Sequence, residues 1–169
     1  MEERGMAATA ERVGRAGKYL TFGLGEQAYG LEILKVREII GMVPITPVPG
    51  TPAFVRGVIN LRGKVIPVAD LRAKFSMAAT EQTDETCIIV VQVRGMEMGM
   101  VVDRVQEVQN IAEGDIEDTP SFGTDIDTDF ILGMGKANGQ VTILLEISRV
   151  LTGEDMTAMT GSEPAGADA

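Results

Sequence analysis

The 169-residue sequence predicts an all-β fold, a pseudo-symmetric pair of small barrels, on three observations. Residues 54–71 (FVRGVINLRGKVIPVADL) echo residues 130–147 (FILGMGKANGQVTILLEI) at a constant offset. Phe54 matches Phe130, Gly57 matches Gly133, Gly63 matches Gly139, Val65 matches Val141, and Asp70 matches Glu146. Residues 19–40 likewise echo residues 88–109, setting Gly30 on Gly99, Val36 on Val105 and Glu38 on Glu107. Between the chain ends, apolar residues recur with period two. Internal repetition sets architecture before local detail does. Two copies are too few for a solenoid, and even strand spacing points to small barrels.

Residues 1–17 lack periodicity and read as a mobile tail. Leu20, Phe22 and Leu24, then Tyr29, Leu31 and Ile33, flank the turn Gly25-Glu26-Gln27 as a hairpin. The spacer at 41–52 is proline-rich and extended, and Thr51-Pro52 suits the opening of a helical turn. Val65 to Ala69 is a dense apolar run, fitting a strand covered on both faces, with Pro67 marking an edge or a bulge. Leu71 to Phe75 reads as a short helical turn. The two echoes meet near 80–87, and exchange of strands between the barrels is left open. Ile89, Val91 and Val93 pair with Met98, Met100 and Val102 around Arg94-Gly95. An acidic spacer fills 111–129. Val141 to Leu145 and Ile147 to Leu151 repeat the strand and turn of the first copy. Residues 152–169 form an acidic tail that opens as a helical turn and is expected to end in disorder.

Composition excludes several functions. Aromatics are 4% of the chain with no Trp, which removes base-stacking platforms. Residues 18–80 carry 8 basic and 4 acidic side chains, and residues 81–130 carry 2 and 13. That asymmetry orients protein partners and argues against nucleic acid. There is no His and one Cys, so disulfides, two-Cys zinc sites and His-based nucleophiles are out. A lone thiol without an apolar leader predicts a cytoplasmic protein, and no apolar run is long enough for direct membrane insertion. No cofactor or metal is expected.

Short motifs are weak here. Gly23-Leu-Gly25 follows a strand but precedes another strand rather than a phosphate-holding helix. Asp125, Asp127 and Asp129 have calcium-loop spacing, but Phe130 and Lys136 stand where the loop needs Gly and Glu. Gly133-Met-Gly135-Lys136 lacks phosphate-loop spacing. Arg62 is harder to dismiss: it is either a solvated turn-tip cation or the partner of Glu38. Val36, Ile39, Val105 and Val108 are either barrel core or the lining of a groove between the halves that accepts an amphipathic helix. Ten Met residues suit such an adaptable surface, and Met also fills cores.

The run TPAFVRGVINLRGKVIPVADLR resembles the signature segment of the CheW family of bacterial chemotaxis coupling proteins, as do YGLEILKVREI, GMVVDRVQEV and FILGMG. The similarity spans about residues 18–151. It implies two five-stranded, Src-homology-3-like barrels with short helices and a function without catalysis. Such a protein is a cytoplasmic adaptor recruited to receptor arrays at the inner face of the membrane. Its implied partners are the regulatory domain of the chemotaxis histidine kinase (CheA) and the cytoplasmic tip of methyl-accepting chemoreceptors. By position, Val36, Glu38, Arg62, Val105 and Val108 match family positions associated with those contacts, and Gly57, Gly99 and Gly133 match glycines of the same strands and turns. Two rival readings remain at this stage: a small-molecule-binding barrel, and a metal-dependent enzyme using carboxylates of the acidic loop.

Overall fold

The computed structural model describes residues 15–120, 128–137 and 139–160. Their strands are β1 Gly17–Leu24, β2 Gln27–Glu32, β3 Val36–Gly41, β4 Val55–Leu61, β5 Lys64–Asp70 and β6 Cys87–Val93. Then come β7 Met96–Val102, β8 Arg104–Ile111, β9 Ile116–Glu117, β10 Ile131–Ala137 and β11 Gln140–Leu145. Three α-helices accompany them, α1 Leu71–Lys74, α2 Ile147–Val150 and α3 Gly153–Thr160, and single 3-10 turns span Ile33–Lys35 and Glu113–Asp115. No helix among the described residues is long and apolar enough to cross a membrane.

The strands form two sheets, ordered β8-β1-β2-β11-β10-β9 and β3-β6-β7-β5-β4. Replacing each strand by its repeat counterpart turns the first five positions of one order into the other. The registers repeat as well. Phe22 faces Tyr29 as Val91 faces Met98, and Phe22 faces Val105 as Val91 faces Val36. Even the bulges recur, between Val55 and Gly57 and between Ile131 and Gly133. The Asp70 N–H bonds the Phe54 carbonyl at 2.7 Å, and the Glu146 N–H bonds the Phe130 carbonyl at 2.8 Å. Each sheet closes as a small Src-homology-3-like barrel. The expected five strands become six in one sheet because part of the acidic spacer, β9, adds to β10. In the other sheet a single bridge, Thr46 to Val58, takes that place.

The two repeat copies are not the two barrels. The opening hairpin of the first copy, β1–β2, lies in the sheet with β8, β10 and β11 of the second copy. The opening hairpin of the second copy, β6–β7, lies with β3, β4 and β5 of the first. Parallel pairings stitch the exchange, β2 to β11 through Leu31↔Leu145 and β5 to β7 through Val68↔Gly99.

Alternation along the strands decides what each face does. Inward faces fill the barrels, with Ile59, Ile66, Val68, Ile88 and Val90 in one and Tyr19, Ile111, Ile116 and Leu144 in the other. Opposite faces meet between the sheets in the largest core, which includes Leu20, Phe22, Leu31, Ile89, Val91, Met98, Met100 and Leu145.

Three local expectations change. Pro67 lies on an interior strand, neither at an edge nor at the bulge, and pairing of β5 with β7 begins only at Val68, beyond its missing N–H. Val65 and Val141 are 67% and 50% exposed, so the dense apolar runs are covered only past their first residues. Pro52 opens a tight turn rather than a helix, its carbonyl accepting from the Val55 N–H at 3.0 Å. At the amino end, order begins before the first strand. The Arg15 guanidinium binds Glu113 and Asp118 at 2.9 and 2.8 Å, and its carbonyl accepts from the Tyr19 hydroxyl.

Candidate functional site: a protein-docking surface

The β4–β5 turn has Arg62 at φ 54° and Gly63 at φ 85°. Two successive left-handed residues make the tight hairpin turn that matches strand twist. Asn60 locks it, its Oδ1 accepting from the Gly63 N–H at 2.8 Å. The turn aims Arg62 across the barrel at β3, the opposite end of the sheet. Its guanidinium grips Glu38 with both nitrogens, Nη1 donating to Oε1 at 3.2 Å and Nη2 donating to Oε2. The pair therefore joins the two ends of the sheet. It stays open to solvent, with Arg62 69% exposed. The hydrogen bonds from Arg62 hold the Glu38 carboxyl below its ordinary range. Beside it Glu97 receives Arg37 Nε at 3.5 Å and Lys64 Nζ at 3.2 Å, which extends a charged row across the sheet.

The apolar candidates divide by face. Ile39 and Val108 are 44% and 49% exposed on β3 and β8, the edge strands of the two sheets. Val36 and Val105 are half-buried against the central core. The structure thus brings Glu38 and Arg62 together on one barrel, with Ile39 on the opposite face of the same strand, and places Val105 and Val108 at the symmetric edge of the other. It does not open a groove through the middle. Met98 and Met100 are fully buried in the core between the sheets, so they fill volume there and offer no adaptable surface.

The three candidate glycines, Gly57, Gly99 and Gly133, sit at close approaches within the sheets. All three are buried. Gly57 has φ 140°, and a Cβ on it would lie 2.1 Å from the Thr46 carbonyl oxygen. A Cβ on Gly99 would meet Ile88 Cγ2 at 2.7 Å, and one on Gly133 would meet Ile116 Cγ2 at 2.7 Å. These positions let a neighbouring strand or side chain approach closely.

Two features escaped sequence reasoning. Arg72 on α1 and Asp103 between β7 and β8 form a largely buried ion pair at 2.7 Å. Asp103 also accepts from the Gly25 N–H at 2.7 Å, so one carboxylate ties α1 to the β1–β2 turn. Arg72 and that backbone N–H hold its pKa below the usual carboxylate range against the opposing effect of burial. The other is a ladder of near-parallel rings, Phe22, Tyr29, Phe75 and Phe130, with centroids 5.8, 5.7 and 5.3 Å apart. Phe22 and Tyr29 face each other in the predicted hairpin, whereas nothing local connects Phe75 to Phe130.

The rival chemistries lose support. Gly23 lies within β1 and Gly25 in its hairpin turn, so no helix N-terminus follows to hold a pyrophosphate. Gly133, Gly135 and Lys136 lie within β10, and Lys136 pairs with Glu117 at 2.6 Å. Among the described residues the barrel interiors are filled by side chains, aliphatic but for Tyr19, where a ligand-binding barrel would hold its cavity. Among the described residues no group of three or more carboxylate or thiol ligands converges. Asp125 and Asp127 of the calcium-like spacing, and Asn138 opposite Arg62 in the repeat, lie outside the described residues.

With this geometry in place, comparison with known proteins is informative. Residues 18–155 match the family sequence model of the CheW-like domain. The chain is 37% identical over 154 residues to the chemotaxis protein CheW of Rhizobium meliloti (strain 1021), covering 90% of this chain and 99% of that protein. It is 34% identical over 145 residues to the chemotaxis protein CheW of Thermotoga maritima, covering 84% and 91%. The crystal structure of the scaffolding protein TtCheW from Thermoanaerobacter tengcongensis superposes with a TM-score of 0.75 at 37% identity, covering 89% of this chain and 98% of that one.

Proposed function

The chain belongs to the family of CheW-like domains, and on that premise we propose that it is a non-catalytic adaptor of bacterial chemotaxis. It couples chemoreceptors to the chemotaxis histidine kinase by binding the receptors' cytoplasmic tip and the kinase's regulatory domain. It works in the cytoplasm, recruited to receptor arrays at the inner face of the membrane. Each contact is modest alone, and the array supplies strength through effective concentration.

The observation that carries this reading is the Arg62–Glu38 pair. A side chain with a Cβ is disfavoured at positive φ, and such outliers concentrate at functional sites. Arg62 sits there at φ 54°, in a turn where the second copy of the repeat carries Asn138. Asn tolerates that conformation better. The departure from the easier residue places a cation on an open surface, bound to Glu38 of edge strand β3, whose next residue, Ile39, is exposed on the opposite face of that strand. An oriented charge and an exposed apolar side chain on one edge strand give a partner both kinds of contact. The exposed apolar residue at the symmetric edge, Val108, lies on the more acidic barrel and supports a second contact of different character.

The test is a pair of binding titrations of the full chain, one with the kinase regulatory domain and one with a receptor-tip fragment. Arg62→Ala is expected to weaken one titration at least tenfold. Unchanged binding of both partners by Arg62→Ala and by Ile39→Lys would remove this surface from the reading.

A further inference from the structure

The pseudo-symmetry of the fold makes two junctions comparable, one where β5 runs into α1 and one where β11 runs into α2, and their charges differ. At the first, Asp70 of β5 is registered on Val101 of β7. Arg56 meets Asp70 at 3.5 Å, and Arg72 meets Asp103 at 2.7 Å. Two guanidiniums thus answer two carboxylates around one cleft.

At the second, the repeat puts Leu132 in place of Arg56 and Ser148 in place of Arg72, so both cations are gone. Glu146 stands for Asp70, and Glu32 stands for Val101. Each lies one residue beyond the registered pair Leu31↔Leu145, which makes the two half-buried acids neighbours at the ends of parallel strands. The Glu146 side chain makes no cap on α2 and accepts from Ser148 Oγ at 3.0 Å. Among the described residues neither acid makes an ion pair. Burial and the Glu146 charge hold the Glu32 carboxyl above its ordinary range, and Lys35 opposes them only in part.

Leu34 stands where the first junction has Asp103. It has no anchoring role, because Arg94 of the β6–β7 turn reaches α2 instead, its Nη2 donating to the Ser148 carbonyl at 2.8 Å. Leu34 is 92% exposed on the 3-10 turn Ile33–Lys35, at a cleft of about 240 Å³ lined also by Tyr19, Glu32, Ile33 and exposed Lys18. A lone exposed leucine is ordinary. This one shares its cleft with Glu32, a carboxylate that has given up part of its hydration beside a second acid and without a counter-ion. We infer that this surface docks a segment of a partner protein that carries an arginine next to a bulky apolar residue. The arginine takes the place of the two missing guanidiniums and bridges Glu32 and Glu146, since its planar fork of donors serves two carboxylates at once. The apolar residue packs on Leu34. A small molecule held in the cleft would leave Leu34 in water, so the occupant is a chain that continues over the rim. The site lies on the sheet of β2 and β11, whereas Arg62 and Glu38 lie on the other.

The probe is the end-blocked peptide Ala-Leu-Arg-Leu-Ala, titrated into the full chain under nuclear magnetic resonance. The same peptide with citrulline for arginine, and free arginine amide, are titrated beside it. Saturable shifts are expected at Glu32, Ile33 and Leu34. Affinity should fall at least fivefold for the citrulline peptide, and for the arginine peptide in Glu32→Gln and in Leu34→Ser. Leu34 fills no core, so Leu34→Ser remains folded should Glu32→Gln not. Equal binding of the citrulline peptide would overturn the inference, as would no shift at millimolar peptide. Arginine amide binding as tightly as the peptide would make the cleft a small-molecule site and overturn it. An Arg12→Ala chain that binds the peptide at least tenfold more tightly would assign the cleft to the chain's own amino-terminal segment and overturn it too. No receptor or kinase enters these experiments, so their failure leaves the adaptor reading standing.

Discussion

Arg62 combines a left-handed backbone, an exposed guanidinium and a two-pronged grip on Glu38. Such a pair orients a charge more than it stabilises a fold, because water competes for both partners. Arg62→Ala is therefore expected to leave the thermal midpoint within about 2 °C while weakening partner binding, as read by calorimetry and titration on one sample. Acid should undo the same orientation. The Glu38 carboxyl titrates below its ordinary range in the folded chain, so the pair is intact above that range and is lost as pH falls through the lowered value. Gly57 has the opposite profile. Its φ of 140° and the Thr46 carbonyl in the path of a Cβ leave no room for any other residue. Gly57→Ala is expected to lower stability by more than about 2 kcal/mol, seen as a fall in denaturation midpoint. Partner binding by its folded fraction should be unchanged, which separates a scaffold glycine from a contact glycine.

Among the elements, the edge strands and the α1 junction carry different burdens. β3 and β8 end their sheets, and each carries one exposed valine or isoleucine where edges are usually guarded by charge. Ile39→Lys and Val108→Lys should leave circular dichroism unchanged, since neither side chain fills a barrel. α1 is capped by Asp70, whose carboxylate accepts from the Arg72 N–H at 2.9 Å, and it is anchored by Arg72 on Asp103. That ion pair is mostly shielded, so removing one partner strands the other. Arg72→Met is expected to cost about 2–4 kcal/mol. For a chain of this size that lowers the thermal midpoint by roughly 5–15 °C. The pH dependence has a definite sign. Asp103 is depressed in the folded state by Arg72 and the Gly25 N–H, so its contribution is full above about pH 4 and is lost as pH falls through the lower folded value. Arg72→Met should flatten that acid limb of the stability curve.

For the whole molecule, the exchange of opening hairpins decides both stability and charge. Neither repeat copy owns a complete barrel, and the largest core lies between the sheets. Residues 1–80 expressed alone are expected to be unfolded by amide exchange. A cut introduced within residues 79–84 of the folded protein should leave the two fragments associated on a sizing column. Independent folding of residues 1–80 would contradict the exchange. The exchange also regroups charge. Residues 33–103, the strands of one barrel, carry 8 basic and 7 acidic side chains, whereas the described residues of 15–32 and 104–160 carry 5 and 11. The basic half and acidic half of the sequence thus become one nearly neutral barrel and one strongly acidic barrel, and it is the acidic one that carries Val108.

Much of this was legible in the residues. Period-two alternation and glycine turns specify hairpins locally, and the constant offsets of Gly57 to Gly133 and Gly30 to Gly99 specify two copies of one unit. The Arg62–Glu38 pair could be named because both side chains sit on elements whose direction the pattern already determined. What the residues left open was which hairpin completes which barrel. An opening hairpin with a buried edge satisfies either partner equally by pattern, since β2 and β7 offer the same glycine at the same register to β11 and β5. Only tertiary packing breaks that tie. By the same route it buried Met98 and Met100, set Gly57 with the Thr46 carbonyl in the path of any Cβ, and stacked Phe75 on Phe130 across 55 residues of chain. Local chemistry sets which face of a strand is apolar, and the identity of the face it meets is a property of the whole assembled chain.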